Sequence, residues 1–502
     1  MTSVAILFWA GAALVFYTYL GYGILLWGLV RLREAIRPAR REGYNAAKEG
    51  AAEQGVTEHS TAEHAAADPE VTLLIAAYNE QEIVAAKMEN CRALEYMPGR
   101  LHIVWITDGS TDDTPARLAA YPEVTVLHQA RRGGKTAALN RALEQIATPL
   151  VVFTDANTML NAQAVREIVR CFDDPAVGCV AGEKRVAAAE NTGENAGTRA
   201  GGTVGTETGE DTNRRTGENV GKNAGTKAGG TVDAETGKDA GRGTGEDAGE
   251  NAGTRAGETV GTETGEDAGR GIGENAGKKT GTSSGAAATE GVYWKYESKL
   301  KELDYRLHSA VGAAGELFAV RRELFGRLAE DTLLDDFVCS MRIAAKGYKI
   351  AYCKEAYALE TPSADMGEEG KRKQRIAAGG LQSVWRLRGL LNPFRYGVLW
   401  FQYVSHRVLR WTLTPVALIA LVPLNTALLW SRRPVLYAVL LALQAAFYLA
   451  AAAGWIQERR GRRGGLWSVP YYFLFMNLNV FRGAWYLATH REGGTWEKAR
   501  RA

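Results

Sequence analysis

Four short apolar runs, each ending in a polar tip, limit what this chain can fold into. VTLLIAAYNE begins at Val71, HIVWITDGSTDDT at His102, VTVLHQARRGGKTAALNRAL at Val124 and PLVVFTDAN at Pro149. The segments between them read as helices. Runs of this length and spacing predict parallel strands joined by helical crossovers, an α/β fold with a mostly parallel sheet. In such sheets ligands sit beyond the carboxyl ends of the strands. The tips Tyr78-Asn79-Glu80, Asp108-Gly109-Ser110, Gly133-Gly134-Lys135 and Asp155-Ala156-Asn157 are therefore expected to converge on one crevice.

The rest of the chain reads as membrane anchor, insert or completion of that crevice. Residues 4–30 carry no charge and are long enough to span a bilayer. Arg31, Arg33, Arg37, Arg40 and Arg41 follow, which orients what comes next toward the cytoplasm. Residues 31–69 form a basic juxtamembrane segment and linker, and residues 70–392 the cytoplasmic domain. From 187 to 289 the chain has no Leu, Phe, Tyr, Trp or Met and repeats every 28 residues from Asn195, Asn223 and Asn251. One or two branched aliphatic residues per repeat cannot build a stacking core, so a disordered insert is expected. Residues 396–410 mix aromatic and basic side chains as an interfacial helix does. Residues 411–430 and 434–456 read as two further spans. Residues 466–488 hold 16 uncharged residues before Arg482, which suits either a fourth span or a re-entrant helix.

A net charge of +3 over 502 residues gives no nucleic-acid footprint. The five cysteines show no C-x-x-C pair and read as reduced, buried apolar residues.

Several polar residues suit a definite chemistry. Asp155 ends a strand, where a carboxylate serves either as a divalent-ion ligand or as a helix N-cap. Asp108 heads a loop able to bond a base or ribose, or simply to make a turn. Gly133-Gly134-Lys135 precedes a helix, a weak phosphate signal that a solvated basic loop also explains. Asp335-Asp336 stands at a helix start. Paired carboxylates there raise one pKa toward that of a general base, unless they are only a solvated first turn. Arg372 and Arg375 match the fork geometry of a diphosphate, and equally a basic run facing lipid headgroups.

Together these motifs resemble the membrane-integrated family 2 glycosyltransferases, the group of cellulose, hyaluronan and poly-N-acetylglucosamine synthases. The resemblance covers about residues 71–182 and 291–389. The family's P-x-Y-N-E is similar to Ala76-Ala77-Tyr78-Asn79-Glu80, and its D-D-G-S to Thr107-Asp108-Gly109-Ser110. Its K-x-x-A-L-N corresponds to Lys135–Asn140, and its D-x-D to Asp155-Ala156-Asn157, with an amide in the last place. Asp335-Asp336 aligns with the last two residues of T-E-D, and Arg372-Lys373-Gln374-Arg375-Ile376 with Q-x-x-R-W. Ile376 replaces the tryptophan that packs near the acceptor sugar in processive members.

The resemblance implies a GT-A-like nucleotide-sugar-binding domain with transmembrane helices at both ends. It implies inverting transfer at the cytoplasmic face of the cell membrane, from a nucleotide-sugar (a UDP-sugar first) to a polysaccharide or lipid-linked acceptor. The donor would bind near Ala77, Tyr78, Glu80, Asp108 and Lys135, and Mg2+ or Mn2+ on Asp155 and Asn157. Asp336, paired with Asp335, would be the base, and Arg372 and Arg375 would meet the leaving diphosphate. Further synthase-complex subunits are implied partners. Two rivals follow: a single-sugar transferase to a lipid or lipid-phosphate acceptor, and a non-catalytic nucleotide-sugar-binding subunit.

Overall fold

The structure is a computed structural model that describes residues 2–36, 68–186, 285–361, 366–432, 435–460 and 465–490. Most of the linker and of the repeat insert lies outside them.

The chain begins with α1 (Thr2–Phe16), a π-helical turn (Tyr17–Gly21) and α2 (Tyr22–Ile36). There follow β1 (Val71–Ala77), α3 (Val84–Arg92), β2 (Leu101–Asp108), α4 (Thr114–Leu118) and β3 (Val124–Gln129). Next come α5 (Lys135–Gln145), β4 (Leu150–Asp155), β5 (Thr158–Leu160), α6 (Ala164–Cys171) and β6 (Val177–Val186). Beyond the repeats are α7 (Gly285–Leu307), β7 (Leu317–Arg321), α8 (Asp335–Ala345), β8 (Lys349–Glu360) and α9 (Met366–Arg386). α10 (Pro393–Tyr403) runs through a π-helical turn (Val404–Val408) to Leu409–Trp411. The last helices are α11 (Leu413–Arg432), α12 (Val435–Arg459) and α13 (Ser468–Thr489).

One eight-stranded sheet has the order β3-β2-β1-β4-β7-β6-β8-β5. The first four strands are parallel, as the apolar runs predict. β1 is buried along nearly its whole length, the pattern of a strand covered on both faces. β7 enters antiparallel between β4 and β6, and β6 then pairs parallel with β8. One face of the sheet packs on α5 and α8, with Phe153 stacked on Phe318 at 4.4 Å between centroids. The other packs on α3 and α6 through Met88, Ile168 and Val169.

α9 ties the sheet domain to the C-terminal helices. A Cβ on Gly483 of α13 would sit 2.6 Å from Ala378 N of α9, so the two backbones touch where only glycine fits. Among the described residues three segments, Thr2–Ile36, Leu413–Ser431 and Val435–Arg459, are long and apolar enough to cross a membrane. α13 is not among them. The 396–410 stretch, expected at an interface, buries Tyr403, His406 and Arg410. α7 is the cause: its Asp304 and Glu297 accept from His406 and Arg410. All five cysteines are free; four are buried and Cys171 is partly so.

Candidate active site

The register of β1 sets the first half of the site. Ala77 lies beside Thr107 and Ala76 beside Asp155, so the ends of β2, β1 and β4 form one ledge. Asn79 and Ser110–Thr114 knit the first two tips together. Asn79 Oδ1 accepts from Thr111 N at 2.8 Å, and Thr114 Oγ1 accepts from Glu80 N at 2.8 Å. Asp108 is buried, and its Oδ2 accepts from Gly133 N (2.9 Å) and Gly134 N (2.6 Å). Its other oxygen, also buried, has no hydrogen-bond partner among the described residues. Gly134 makes this cradle possible: at φ 95° it caps α5 in a conformation L side chains rarely adopt. The Arg132 guanidinium lies 3.9 Å from the centroid of the Tyr78 ring.

The second half gathers around Lys135, the first residue of α5. Lys135 Nζ donates to Asp155 Oδ1 at 2.6 Å. Burial pulls the Lys135 pKa down, but Asp155, Asp335 and Asp336 outweigh it and hold the ammonium above its ordinary value. Behind Asp155 the buried Lys87 Nζ donates to the Thr158 carbonyl at 2.5 Å, bracing the turn after β4. Burial draws Lys87 down to about 8. Asn157 occupies that turn, partly exposed.

Asp335 and Asp336 form the first turn of α8. A Cβ on Gly315 would lie 3.3 Å from Lys135 Nζ and 3.5 Å from Asp336 Oδ2, so residues about 200 positions apart close on one point. Burial and the Asp335 carboxylate push Asp336 up to about 7, against the pull of Lys135 and the Phe337 amide. Asp335 Oδ2 is buried and makes no hydrogen bond among the described residues. No group of three or more His, Cys, Asp or Glu side chains among the described residues converges to hold a metal by itself.

A cavity of about 670 Å3 takes in Lys135, Asp155, Asp335, Asp336, Arg372 and Arg375. Ala77, Tyr78, Glu80, Asp108 and Asn157 do not line it; they stand on the ledge and turn beside it. Arg372 is 9% exposed and lies between three carboxylates, Glu316 (3.4 Å), Glu360 (3.6 Å) and Glu369 (3.6 Å). Arg375, one turn on, is exposed. Ile376 also lines the cavity, and Trp294 of α7 and Trp411 give it aromatic walls. Val15, Phe16 and Leu20 of the first helical pair and Phe473, Met476 and Val480 of α13 make a further wall apolar.

Sequence reading missed Glu316, Trp294, Lys301, Arg407 and Arg410, all of which line this cavity. Gly315-Glu316 ahead of the apolar run LFAV has the form of another polar strand end and could have been found. Arg407 and Arg410 sit on the stretch expected at an interface, and Trp294 and Lys301 on α7, which carries no motif.

The sequence profile described as Glycosyl transferase family 2 matches residues 72–235, and that of Glycosyl transferase family group 2 matches residues 298–451. A Beta-monoglucosyldiacylglycerol synthase of Synechocystis sp. is 35% identical over 126 residues, 24% of this chain and 26% of that protein. A Poly-beta-1,6-N-acetyl-D-glucosamine synthase of Staphylococcus aureus is 33% identical over 121 residues, 23% of this chain and 29% of that protein. The matched stretch thus spans about a quarter of the length of these relatives. The solved mannosyltransferase PcManGT from Pyrobaculum calidifontis, in complex with GDP-Man and Mn2+, superposes with a TM-score of 0.54 at 17% identity. That alignment covers 97% of this chain and 100% of that one, and it makes the fold GT-A-like.

Proposed function

Because the chain belongs to glycosyltransferase family 2, we propose that this cavity moves a sugar from a nucleotide-sugar to an acceptor hydroxyl that enters along the membrane helices. One observation carries the proposal: Asp155, Lys135 and Asp336 share a cavity whose far wall is apolar and built from α1 and α13.

The nucleotide would lie on the ledge of Ala77, Tyr78, Glu80 and Asp108, with its diphosphate pointing toward Lys135 and Asp155. The Lys135–Asp155 contact marks a point where the fold already holds positive charge against a carboxylate. Asp155, with the Asn157 amide, offers hard oxygen donors that suit Mg2+ or Mn2+ shared with a diphosphate rather than caged by protein. When bound, such an ion would neutralise charge on the diphosphate.

Asp336 would accept the acceptor hydroxyl's proton. The acceptor oxygen then forms its bond to the anomeric carbon as the carbon–oxygen bond to the diphosphate breaks, with inversion. The electron pair leaves on the nucleoside diphosphate, which Arg375 and Lys135 would stabilise. Arg372, held by three carboxylates, would fix the wall carrying Arg375. A base with a raised pKa is suited to this step near neutral pH.

The apolar wall favours a lipid or lipid-linked acceptor. A growing polysaccharide is the second reading, supported by the helices that border the cavity. Arg31 and Arg33 directly after the first span support a cytoplasmic catalytic domain in a multi-pass protein. To test the proposal, the purified full chain is incubated with labelled UDP-glucose, UDP-N-acetylglucosamine or GDP-mannose and total membrane lipid. Label in a lipid band supports a lipid acceptor and label in a ladder supports a polymer; no transfer from any donor overturns both.

A further inference from the structure

The cavity holds a positive charge that the proposed transfer does not use. Lys301 of α7 lines it and is 4% exposed. Among the described residues its ammonium makes no hydrogen bond and no ion pair. Burial and Arg407 pull its pKa down, while Glu316, Glu297 and Glu183 pull it up from a distance. A buried cation without a partner at bonding range is costly, and folds rarely keep one without a use.

In the neighbouring cluster Lys184, Arg372 and Lys373 meet an equal number of carboxylates, Glu316, Glu360 and Glu369. Near Lys301 the cations share a carboxylate: Arg407 and Arg410, which also line the cavity, both pair with Glu297. His406 shares Glu297 as well, at 3.3 Å, while Asp304 is taken by His406, Tyr22 and Gln402. Arg407 Nε is buried and makes no hydrogen bond among the described residues. The cavity wall therefore carries Lys301 and Arg407 as well as Asp155, Asp335 and Asp336.

We propose that Lys301 and Arg407 form a subsite for the phosphate or phosphodiester group of a membrane-lipid acceptor. Its acyl chains would lie against Phe16, Leu20, Phe473 and Met476, and a free hydroxyl of its headgroup would reach Asp336. This rests on the transfer reading above and narrows it to an anionic acceptor. Ammonium and guanidinium groups form strong charge-assisted bonds to phosphate oxygens. A neutral acceptor such as diacylglycerol leaves Lys301 without a partner.

The test is calorimetric titration of the detergent-solubilised full chain with dioctanoyl phosphatidylglycerol, dioctanoylglycerol, inorganic phosphate and UDP. The wild type should bind phosphatidylglycerol at least ten times more tightly than dioctanoylglycerol. Lys301→Met should abolish that preference and Lys301→Arg should keep most of it. Because Lys301→Met swaps an unpartnered buried cation for an apolar side chain of similar length, it should not lower the melting temperature. Binding is read without turnover, so a chain that transferred no sugar would leave this result standing. Three results overturn the proposal: equal affinity for the two lipids, inorganic phosphate binding as tightly as phosphatidylglycerol, or Lys301→Met weakening UDP in place of the lipid.

Discussion

Lys135 Nζ stands 2.6 Å from Asp155 Oδ1, and Asp336 Oδ2 closes on the same point from another element. One ammonium thus faces a strand-end carboxylate and the carboxylate proposed as base. Its charge lowers the Asp336 pKa, which burial and Asp335 raise to about 7.

The acid limb of the rate should report that balance. A base must be deprotonated to act, so kcat/KM should rise with pH through about 7. Lys135→Ala removes the one lowering cation and should move the limb to higher pH. A pH–rate profile of both proteins checks this.

Stability should show the same group with the opposite sign. Folding raises Asp336 from 3.8 to about 7, so between those values the unfolded chain releases a proton that the folded chain keeps. That contribution to stability falls across the window and stays low above it. Asp336→Asn does not titrate. Its melting temperature should match the wild type near pH 4 and exceed it at pH 8, by thermal unfolding in detergent.

Gly315→Ala adds a methyl 3.3 Å from the tip of Lys135 and 3.5 Å from Asp336 Oδ2. The lysine tip can yield, so stability should change by less than about 1 kcal/mol. The approach of the hydroxyl to its base is disturbed, and kcat should fall by at least about tenfold. Melting curves and initial rates separate the two effects.

Gly483→Ala is the reverse case. Its methyl would meet Ala378 N at 2.6 Å, and backbone cannot yield as a lysine tip does. The α9–α13 crossing should open at a cost of about 1–3 kcal/mol. A lowered melting temperature with donor affinity retained is the expected result.

The parallel half of the sheet was legible because β1, β2 and β4 are buried apolar runs with polar ends. β7 was not: LFAVR has the same composition, and nothing local says that it runs antiparallel beside β4. The residues at the strand ends, Asp108 and Asp155, and Asp335 and Asp336 at a helix start, announce themselves by type and position. Lys301 and Arg407 do not, because their meaning depends on Glu297 and on pairings such as His406 with Asp304, 102 residues apart. A basic, aromatic stretch such as 396–410 reads as interfacial until its partners on α7 are known.

The central claim is that Asp155 and Asp336, which line the same cavity, serve one transfer reaction. Its most direct test is turnover and nucleotide binding by purified Asp336→Asn with labelled donor and Mn2+. The account predicts nucleotide binding near that of the wild type and transfer lowered by at least about a thousandfold. Transfer at the wild-type rate would contradict it.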